Sequence, residues 1–256
     1  MTTVTAQVLP AVGAIRLTIT APSGVVVSKV QRSDINGPTA MRVLAGQLPY
    51  TSTGAELVLD DYEAASGAVV YTITASDGAV TVPLTHPLAG APWLGVPVLP
   101  QLSVSVESTA DYGADVEARG VLFDVADSPY PITINREATA RRGSLKVYAH
   151  TYADARGVLR LVQRGQVIFL RQTEHDGMDM YFSPRRASLG IELADGPDSR
   201  FSVSIEYAEV ARPLSPLSGA LGWTYAALKA DQPTYSALPG TFADYTDLRT
   251  NFRTTP

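Results

Sequence analysis

The stretch 144–172 constrains the fold more than any other, because strand patterning gives way there to helix patterning and then returns. Residues 144–150 alternate apolar and polar side chains, which predicts a half-buried strand. Residues 166–171 include a short apolar run, which predicts a second strand. The first 215 residues contain no competing helical pattern. The sequence therefore predicts a mainly β protein in which one helix joins two strands.

The start, the apolar stripe and the end of this helix can all be identified in the sequence. Thr151 followed three residues later by Asp154 is typical of a helix N-terminus, where a hydroxyl and an acid satisfy free backbone N–H groups. Gly165 predicts the end of the helix, because glycine readily adopts the left-handed conformation found there. Residues at helical spacing form an apolar stripe that we expect to pack on the protein's own sheet. This stripe consists of Ala155, Val158, Leu159 and Val162.

The composition is that of a folded, acidic protein. Of the 256 residues, 45% are hydrophobic and 18% are charged, which is typical of a globular chain. The net charge of −5 argues against a general nucleic-acid surface, which needs a basic stripe. The chain has no cysteine, which excludes disulfides and thiolate metal sites. We expect synthesis in a cytoplasm without a signal peptide or membrane insertion, because no basic leader and no apolar run of roughly 20 residues occurs.

Residues 1–85 carry the pattern of an all-β module. About seven short strands follow one another at spacings of roughly 8–12 residues, which favours a β-sandwich of the immunoglobulin-like class. Asn36-Gly37 and Asp77-Gly78 are strong turn signals between neighbouring strands.

Four short segments of this module form a recognisable pattern. They are Gln31-Arg-Ser-Asp-Ile-Asn-Gly37, Met41-Arg-Val43, Leu59-Asp-Asp-Tyr-Glu-Ala64 and Val70-Tyr-Thr-Ile73. The pattern resembles the fibronectin type III-like N-terminal module of minor tail proteins from phages of actinobacteria. This sequence departs from the family's pattern at Ala65, where the family commonly has proline. The resemblance implies a fibronectin-like sandwich in a phage tail protein.

Residues 86–100 contain four prolines and two glycines. Such a composition predicts an extended linker of restricted freedom. Trp93 and Leu94 are more apolar than a solvent-exposed linker requires. We therefore expect these two side chains to pack the linker against one of the two modules.

Residues 101–213 form the second predicted module, and a series of features follows in order along its later part. These are the arginine turn Arg141-Arg-Gly143, the strand–helix–strand stretch, Val167-Ile-Phe-Leu-Arg171, Asp176-Gly-Met-Asp-Met-Tyr181 and a strand ending at Arg212-Pro213. This order resembles the belt or tube-type domain of phage tail-tip proteins. The resemblance implies a β-sandwich flanked by one helix, and assembly of like subunits into a ring.

Residues 214–256 differ from both modules, because they contain a ten-residue repeat. Tyrosines recur at 225, 235 and 245, each followed three residues later by leucine at 228, 238 and 248. Each unit begins with a cap-forming Thr or Asp, and prolines between the units prevent one continuous helix. The segment therefore predicts an extended C-terminal arm of short helical turns that docks its rings on another surface. Many tail proteins of actinobacterial phages end in similar aromatic repeats.

Motifs for catalysis and for cofactors are missing from the sequence. The three histidines have no metal-binding spacing, and neither a nucleophile elbow nor a phosphate-binding loop occurs. Asp124 with Asp127, and the run His175-Asp-Gly-Met-Asp179, fit turns better than metal or acid–base sites. We therefore expect a protein that is not an enzyme and carries no cofactor or metal.

The candidate contact residues fall into two groups, arginines and aromatics. The arginines lie in the turn and at spacings of four along the predicted outer face of the helix. Two interpretations are open: they contact acidic residues of a neighbouring subunit, or they are solvated surface residues. The aromatics of the C-terminal arm suit protein interfaces, since they bury a large rigid area with a polar tip; sugar stacking is the alternative. The candidates are Arg141, Arg142, Arg156, Arg160, Arg164, Trp223, Tyr225, Tyr235 and Tyr245.

These observations lead to one functional hypothesis and one alternative. The hypothesis is a structural component of a phage tail tip or baseplate, located in the virion, whose partners are further copies of itself in a ring and other tail proteins. The alternative is a carbohydrate-binding module of a cell surface or virion, which would bind a host glycan through its exposed aromatics. A cell-wall hydrolase is disfavoured, because no acids cluster in a recognisable pattern.

Overall fold

The structure, a computed structural model, describes residues 1–88, 92–124, 126, 129–173, 175, 177–192 and 200–217. The protein is mainly β with several antiparallel sheets, and a single α-helix lies in the described part of the chain. This confirms the predicted fold class. The described residues divide into two compact units. Unit 1 comprises Met1–Pro87, Val96–Ser103 and 214–217, and unit 2 comprises Leu88–Gly95 and Val104–Pro213.

Unit 1 is a β-sandwich of two antiparallel sheets. Its strands are β1 (Thr3–Leu9), β2 (Ala14–Thr20), β3 (Val26–Asp34), β4 (Gly37–Ala40), β5 (Tyr50–Thr51), β6 (Glu56–Asp61), β7 (Gly67–Ala75) and β8 (Gly78–His86). One sheet has the order β1-β2-β6, and the other has the order β4-β3-β7-β8 with β5 paired to β3.

Alternating side chains of the two sheets build the core of unit 1. Residues two apart on a strand point to the same face, so each strand sends every second side chain inward. Each such side chain contributes about 1.5–3 kcal/mol when it is fully buried. The largest contributors from the central strands β2 and β7 are Ile15, Leu17, Ile19, Tyr71 and Ile73.

The remaining strands and the helix follow from residue 93 onward. They are β9 (Trp93–Val96), β10 (Leu99–Ser105), β11 (Ser108–Ala110), β12 (Val121–Phe123), β13 (Ile132–Ile134), β14 (Arg142–Ala149), α1 (Tyr152–Gln163), β15 (Ile168–Arg171), β16 (Met180–Ile191) and β17 (Phe201–Glu209). One seven-stranded sheet has the order β10-β9-β15-β16-β17-β14-β11. β12 and β13 form a separate two-stranded sheet.

The segment 86–100 differs from the linker expected there, because β9 and the start of β10 lie within it. β9 pairs with β15, with Leu94 opposite Leu170. Trp93 and Leu94 are both buried. Burial of these two apolar side chains fixes the segment as a sheet strand, although its prolines are typical of a spacer.

α1 forms where the sequence predicts it, with the predicted cap and end. The Thr151 hydroxyl accepts a hydrogen bond from the Asp154 N–H at 3.1 Å, and Gly165 is left-handed with a φ of 64°. The helix packs on β14, β16 and β17. No helix in the described part of the chain is long and apolar enough to cross a membrane.

The face that α1 buries is rotated from the predicted stripe. Leu159 and Val162 are only half-buried, whereas Leu161 is fully buried. The helix therefore centres its buried face on Val158, because its rotation is set by the sheet beneath it and not by the helix alone. The buried residues of the helix are Ala155, Val158 and Leu161.

Candidate interaction surfaces

The two-stranded sheet β12–β13, hereafter the ribbon, exposes an apolar face. Its register places Val121 opposite Ile134 and Phe123 opposite Ile132. Side chains directly opposite each other in an antiparallel pair share a face, so these four large apolar residues lie together. Each of them is between 45% and 59% exposed.

The other face of the ribbon carries one exposed apolar residue, Leu122, opposite Thr133. A two-stranded hairpin is at best marginally stable alone in water. Large contiguous apolar patches on the surface of a soluble protein mark interaction sites. The ribbon therefore has the character of a surface that another protein covers.

The base of the ribbon is tied firmly to strand β14. The Asp115 N–H donates to the Arg142 carbonyl at 2.6 Å, and the Arg142 N–H donates to the Asp115 carbonyl at 3.0 Å. The Gly113 N–H donates to the Ser144 carbonyl at 2.8 Å. Gly143 faces Gly113 so closely that an added Cβ would overlap the Gly113 backbone. The apolar ribbon thus projects from a rigid base.

Arg141, one of the predicted contact residues, is held within this base. Its Nε donates to Glu209 Oε2 at 2.8 Å, and its Nη2 donates to Glu209 Oε1 at 2.7 Å. Its Nη1 also donates to the Tyr112 hydroxyl at 3.1 Å. The hydrogen bond from Arg141 is the main reason that the pKa of Glu209 is lowered. Arg141 therefore has a positioning role at the base, whereas Arg142 exposes its side chain.

The predicted row of arginines lies on the solvent-facing side of α1. Arg156, Arg160 and Arg164 are all exposed. None of the three forms an ion pair with another residue that the structure describes. The row is a set of positive charges available to an acidic partner.

The first of these arginines belongs to a mixed patch at the start of α1, hereafter the helix patch. The Arg156 guanidinium lies 5.9 Å from the centre of the Tyr152 ring, which in turn lies 5.7 Å from the Phe201 ring. Ile191 stands opposite Phe201 in the sheet. Tyr152 and Ile191 are 52% and 62% exposed. The helix patch therefore combines exposed apolar surface with positive charge.

The predicted aromatic contacts of the C-terminal arm, Trp223, Tyr225, Tyr235 and Tyr245, lie outside the described residues. The start of this segment lies against unit 1. The Leu217 N–H donates to the Val43 carbonyl at 3.0 Å, and Arg42 Nη1 donates to the Ser215 carbonyl. Residues 215–217 are therefore held at the edge formed by 41–44.

The four patterned segments 31–37, 41–43, 59–64 and 70–73 contribute side chains to buried ionic contacts inside unit 1. Arg32 Nη1 donates to both oxygens of Asp61 at 2.9 Å, and its Nε lies 2.7 Å from Asp34 Oδ2. The Tyr71 hydroxyl donates to Asp61 Oδ2 at 2.8 Å. A second buried pair joins Arg42 to Glu63 at 3.1 Å. These polar residues of the pattern therefore stabilise the sandwich from within.

Electrostatics keep this network charged. Burial alone would raise the pKa of Asp61, but the charge of Arg32 and hydrogen bonds from Glu63, Arg32 and Tyr71 outweigh it, so the pKa is lowered. Burial and the charge of Asp61 together raise the pKa of Tyr71. The Tyr71 hydroxyl thus stays protonated and remains a donor to the carboxylate.

A small cavity lies beside Arg42, with a volume of about 20 Å³. That volume holds roughly one water molecule. A typical small-molecule pocket has a volume of about 300 Å³ or more, so this cavity is too small for such a ligand. Within the part of the chain that the structure describes, no group of three or more His, Asp or Glu side chains is placed to hold a metal ion. The ribbon and the helix patch are therefore the features with the clearest functional character.

Sequence reasoning missed the exposure of the ribbon. The sequence predicts short strands at 120–124 and 132–134, which agrees with β12 and β13, but their apolar β pattern is the same as that of a buried strand. The available signal was their length, since strands of three residues are shorter than the usual length of about five or six residues.

Comparison with known proteins assigns no family, because neither a family description nor a curated protein matches the sequence.

Proposed function

We propose that the protein is a structural component of a bacteriophage tail tip or baseplate, and that it acts by assembling with further copies of itself in a ring and with other tail proteins. One observation carries this proposal: a ribbon with exposed apolar residues on both faces projects from a firmly hydrogen-bonded base. The protein would thus reside in the virion and perform no catalysis.

The chemistry of the ribbon supports protein binding over other roles. The ribbon combines a large apolar patch with two open strand edges in its described part. Soluble proteins normally protect such edges with charge, twist or cover, because unpaired edges attract other chains. A partner protein would supply both the cover and the missing edge contacts.

The resemblance to phage tail proteins directs the proposal to a tail tip. The sandwich of unit 1 and the helix beside the sheet of unit 2 agree in architecture with the folds that the resemblance implies. The conspicuous polar residues of the first pattern belong to the ionic core of unit 1. Two independent patterns in the expected order support a tail protein more strongly than either pattern alone.

The C-terminal arm would act as a clamp on a neighbouring subunit or tail protein. Its first residues are held to unit 1 by the carbonyl of Ser215 and the N–H of Leu217. Beyond this anchor, the repeated tyrosines of the sequence provide regularly spaced rings for docking. Deletion of 218–256, which keeps the anchor, should weaken assembly without destabilising unit 1.

The proposal is tested by light scattering on the purified protein, alone and co-expressed with neighbouring tail proteins. The ribbon variant carries Phe123→Ser and Ile132→Ser, and the matched control is Ile35→Ser, which changes an apolar residue of unit 1 that is 59% exposed. We expect the wild type and the control to associate and the ribbon variant to lose association. A wild-type protein that stays monomeric with its neighbours present would overturn the proposal, as would a ribbon variant that assembles normally.

A further inference from the structure

We infer that the ribbon of one copy binds the helix patch of a second copy of this chain. This inference rests on the proposed function, because it names the partner surface of the same ribbon. It assigns a docking role to Tyr152, Arg156 and Ile191, together with the arginine row that continues from Arg156 along α1.

The apolar parts of the two surfaces match. Outside the ribbon and the segments flanking it, the large apolar side chains of unit 2 that are exposed among the described residues are Tyr152 and Ile191. Both lie against Phe201, so they form one patch. An apolar ribbon that docks on unit 2 of another copy therefore finds its best complement there.

The charges of the two surfaces are opposite. The described residues of 115–142, ribbon base included, carry four exposed acids and three exposed arginines, a net charge of 3 − 4 = −1. The helix patch instead adjoins Arg156, Arg160 and Arg164. The acids next to it in the sequence are already engaged, Asp154 by the Thr151 hydroxyl at 2.6 Å and Glu192 by Lys146 Nζ at 2.9 Å. Opposite charges around an apolar centre set the register of an interface and speed its formation. The four acids are Asp115, Glu117, Asp124 and Glu137.

The same charges disfavour the contact of one ribbon with another. A symmetric ribbon–ribbon contact would bring the acids of one copy beside the acids of the other, and like charges at an interface are unfavourable. A contact between two different surfaces is heterologous, so it repeats from copy to copy and closes into a ring when the rotation allows. This geometry is the kind that a ring component requires.

Neither part of the contact suffices alone. The apolar face of the ribbon consists of four side chains, whereas each partner of a stable interface contributes roughly 20–30 residues. The acid–arginine contacts must therefore add to the apolar contact. For this reason we expect reversal of two arginine charges to weaken association as clearly as loss of the apolar residues.

The decisive experiment mixes two defective variants of the full-length protein. The ribbon variant is Phe123→Ser with Ile132→Ser, and the patch variant is Arg156→Glu with Arg160→Glu. The matched charge control is Lys29→Glu with Arg185→Glu, both at exposed positions outside the two surfaces. Sedimentation velocity is measured for each variant alone and for the equimolar mixture, and thermal melting confirms that each variant is folded.

We expect each defective variant alone to be monomeric, with an apparent dissociation constant raised at least about tenfold. The mixture should form a dimer, because the intact patch of the ribbon variant can still accept the intact ribbon of the patch variant. The charge control should associate like the wild type. Glu117→Lys with Asp124→Lys should restore binding to the patch variant, since the charges are then exchanged.

Other outcomes separate this inference from the proposed function. If the patch variant associates like the wild type while the ribbon variant does not, the ribbon binds elsewhere; the inference is then wrong and the proposed function stands. A mixture that remains monomeric would likewise overturn the heterologous contact. If the ribbon variant itself associates normally, the observation that carries the proposed function is removed as well.

Discussion

The Arg32 guanidinium holds both carboxylate oxygens of Asp61 at 2.9 Å in the interior of unit 1. Both side chains are buried, and the Glu63 N–H adds a further hydrogen bond to Asp61 Oδ1 at 2.9 Å. Arg32 and Asp61 belong to segments 31–37 and 59–64 of the four-segment pattern in the sequence of this unit. In this chain, the most conspicuous charged residues of that pattern therefore stabilise the sandwich, and partner contacts must come from other surfaces.

Asp61→Asn should destabilise unit 1 strongly, because it leaves the buried guanidinium of Arg32 without its main counter-charge. Breaking a buried ion pair costs about 3–5 kcal/mol, which urea unfolding would measure. The control is Asp60→Asn, whose partner Arg16 lies at a more exposed site, with an Nε–Oδ1 distance of 2.8 Å. Equal losses of stability in the two variants would show that burial of the Arg32–Asp61 pair has no special importance.

The Asp61 carboxylate should also make unit 1 sensitive to acid. Its pKa is lowered on folding, so its contribution to stability is complete above the ordinary aspartate pKa of 3.8 and is lost as the pH falls through the lower value in the folded state. Urea midpoints measured from neutral pH down to about pH 2 should fall more steeply for the wild type than for Asp61→Asn. Parallel curves would contradict this prediction.

Tyr71→Phe should remove a single hydrogen bond to the same carboxylate. Hydrogen bonds to charged groups contribute about 1.5–3 kcal/mol, and the Phe ring keeps the packing of the fully buried side chain. In a double-mutant cycle with Asp61→Asn, the double variant should lose less free energy of unfolding than the sum of the two single-variant losses. The reason is that both substitutions disrupt one network. Additive losses would place Tyr71 outside the network.

Local sequence signals made the start and end of α1 predictable, whereas the face that it packs against the sheet was not predictable. Thr151 and Gly165 act through backbone geometry within one turn, so the start and end of the helix followed from the sequence. The burial of Leu161 in place of Leu159 depends on how the helix rotates against β14, β16 and β17. Such a rotation is a tertiary property that periodicity does not contain.

The exposure of the ribbon and the ionic network could not be predicted from the sequence for a related reason. The pattern of Val121–Phe123 predicts a strand but does not indicate whether another layer covers it, and here no third strand pairs with the ribbon among the described residues. Arg32 and Asp61 lie 29 residues apart, and only the register of separate sheets brings them together. By contrast, the outward position of Arg156 and its successors followed directly from helical spacing.

Gly143→Ala should destabilise unit 2 and disturb the ribbon. An added Cβ would overlap the Gly113 carbonyl oxygen and lie 2.7 Å from the Gly113 carbonyl carbon, so the backbone at the ribbon base must shift. Overpacking of this kind typically costs about 1–3 kcal/mol. Thermal melting should show the loss, and light scattering should show weaker self-association than in the wild type. Unchanged association would mean that the ribbon does not depend on the position of its base.

Gly157→Ala is the counterpart of that change and should be stabilising. An added Cβ at Gly157 would lie 3.6 Å from Val104 Cγ2, which is an ordinary contact, so no neighbour must move. Alanine in a helix interior is favoured over glycine by about 1 kcal/mol, and α1 should gain up to that amount. Chemical denaturation would measure the gain, and self-association should remain as in the wild type because Gly157 belongs to neither the ribbon nor the helix patch. A loss of stability would show that the close approach of α1 to Val104 requires glycine.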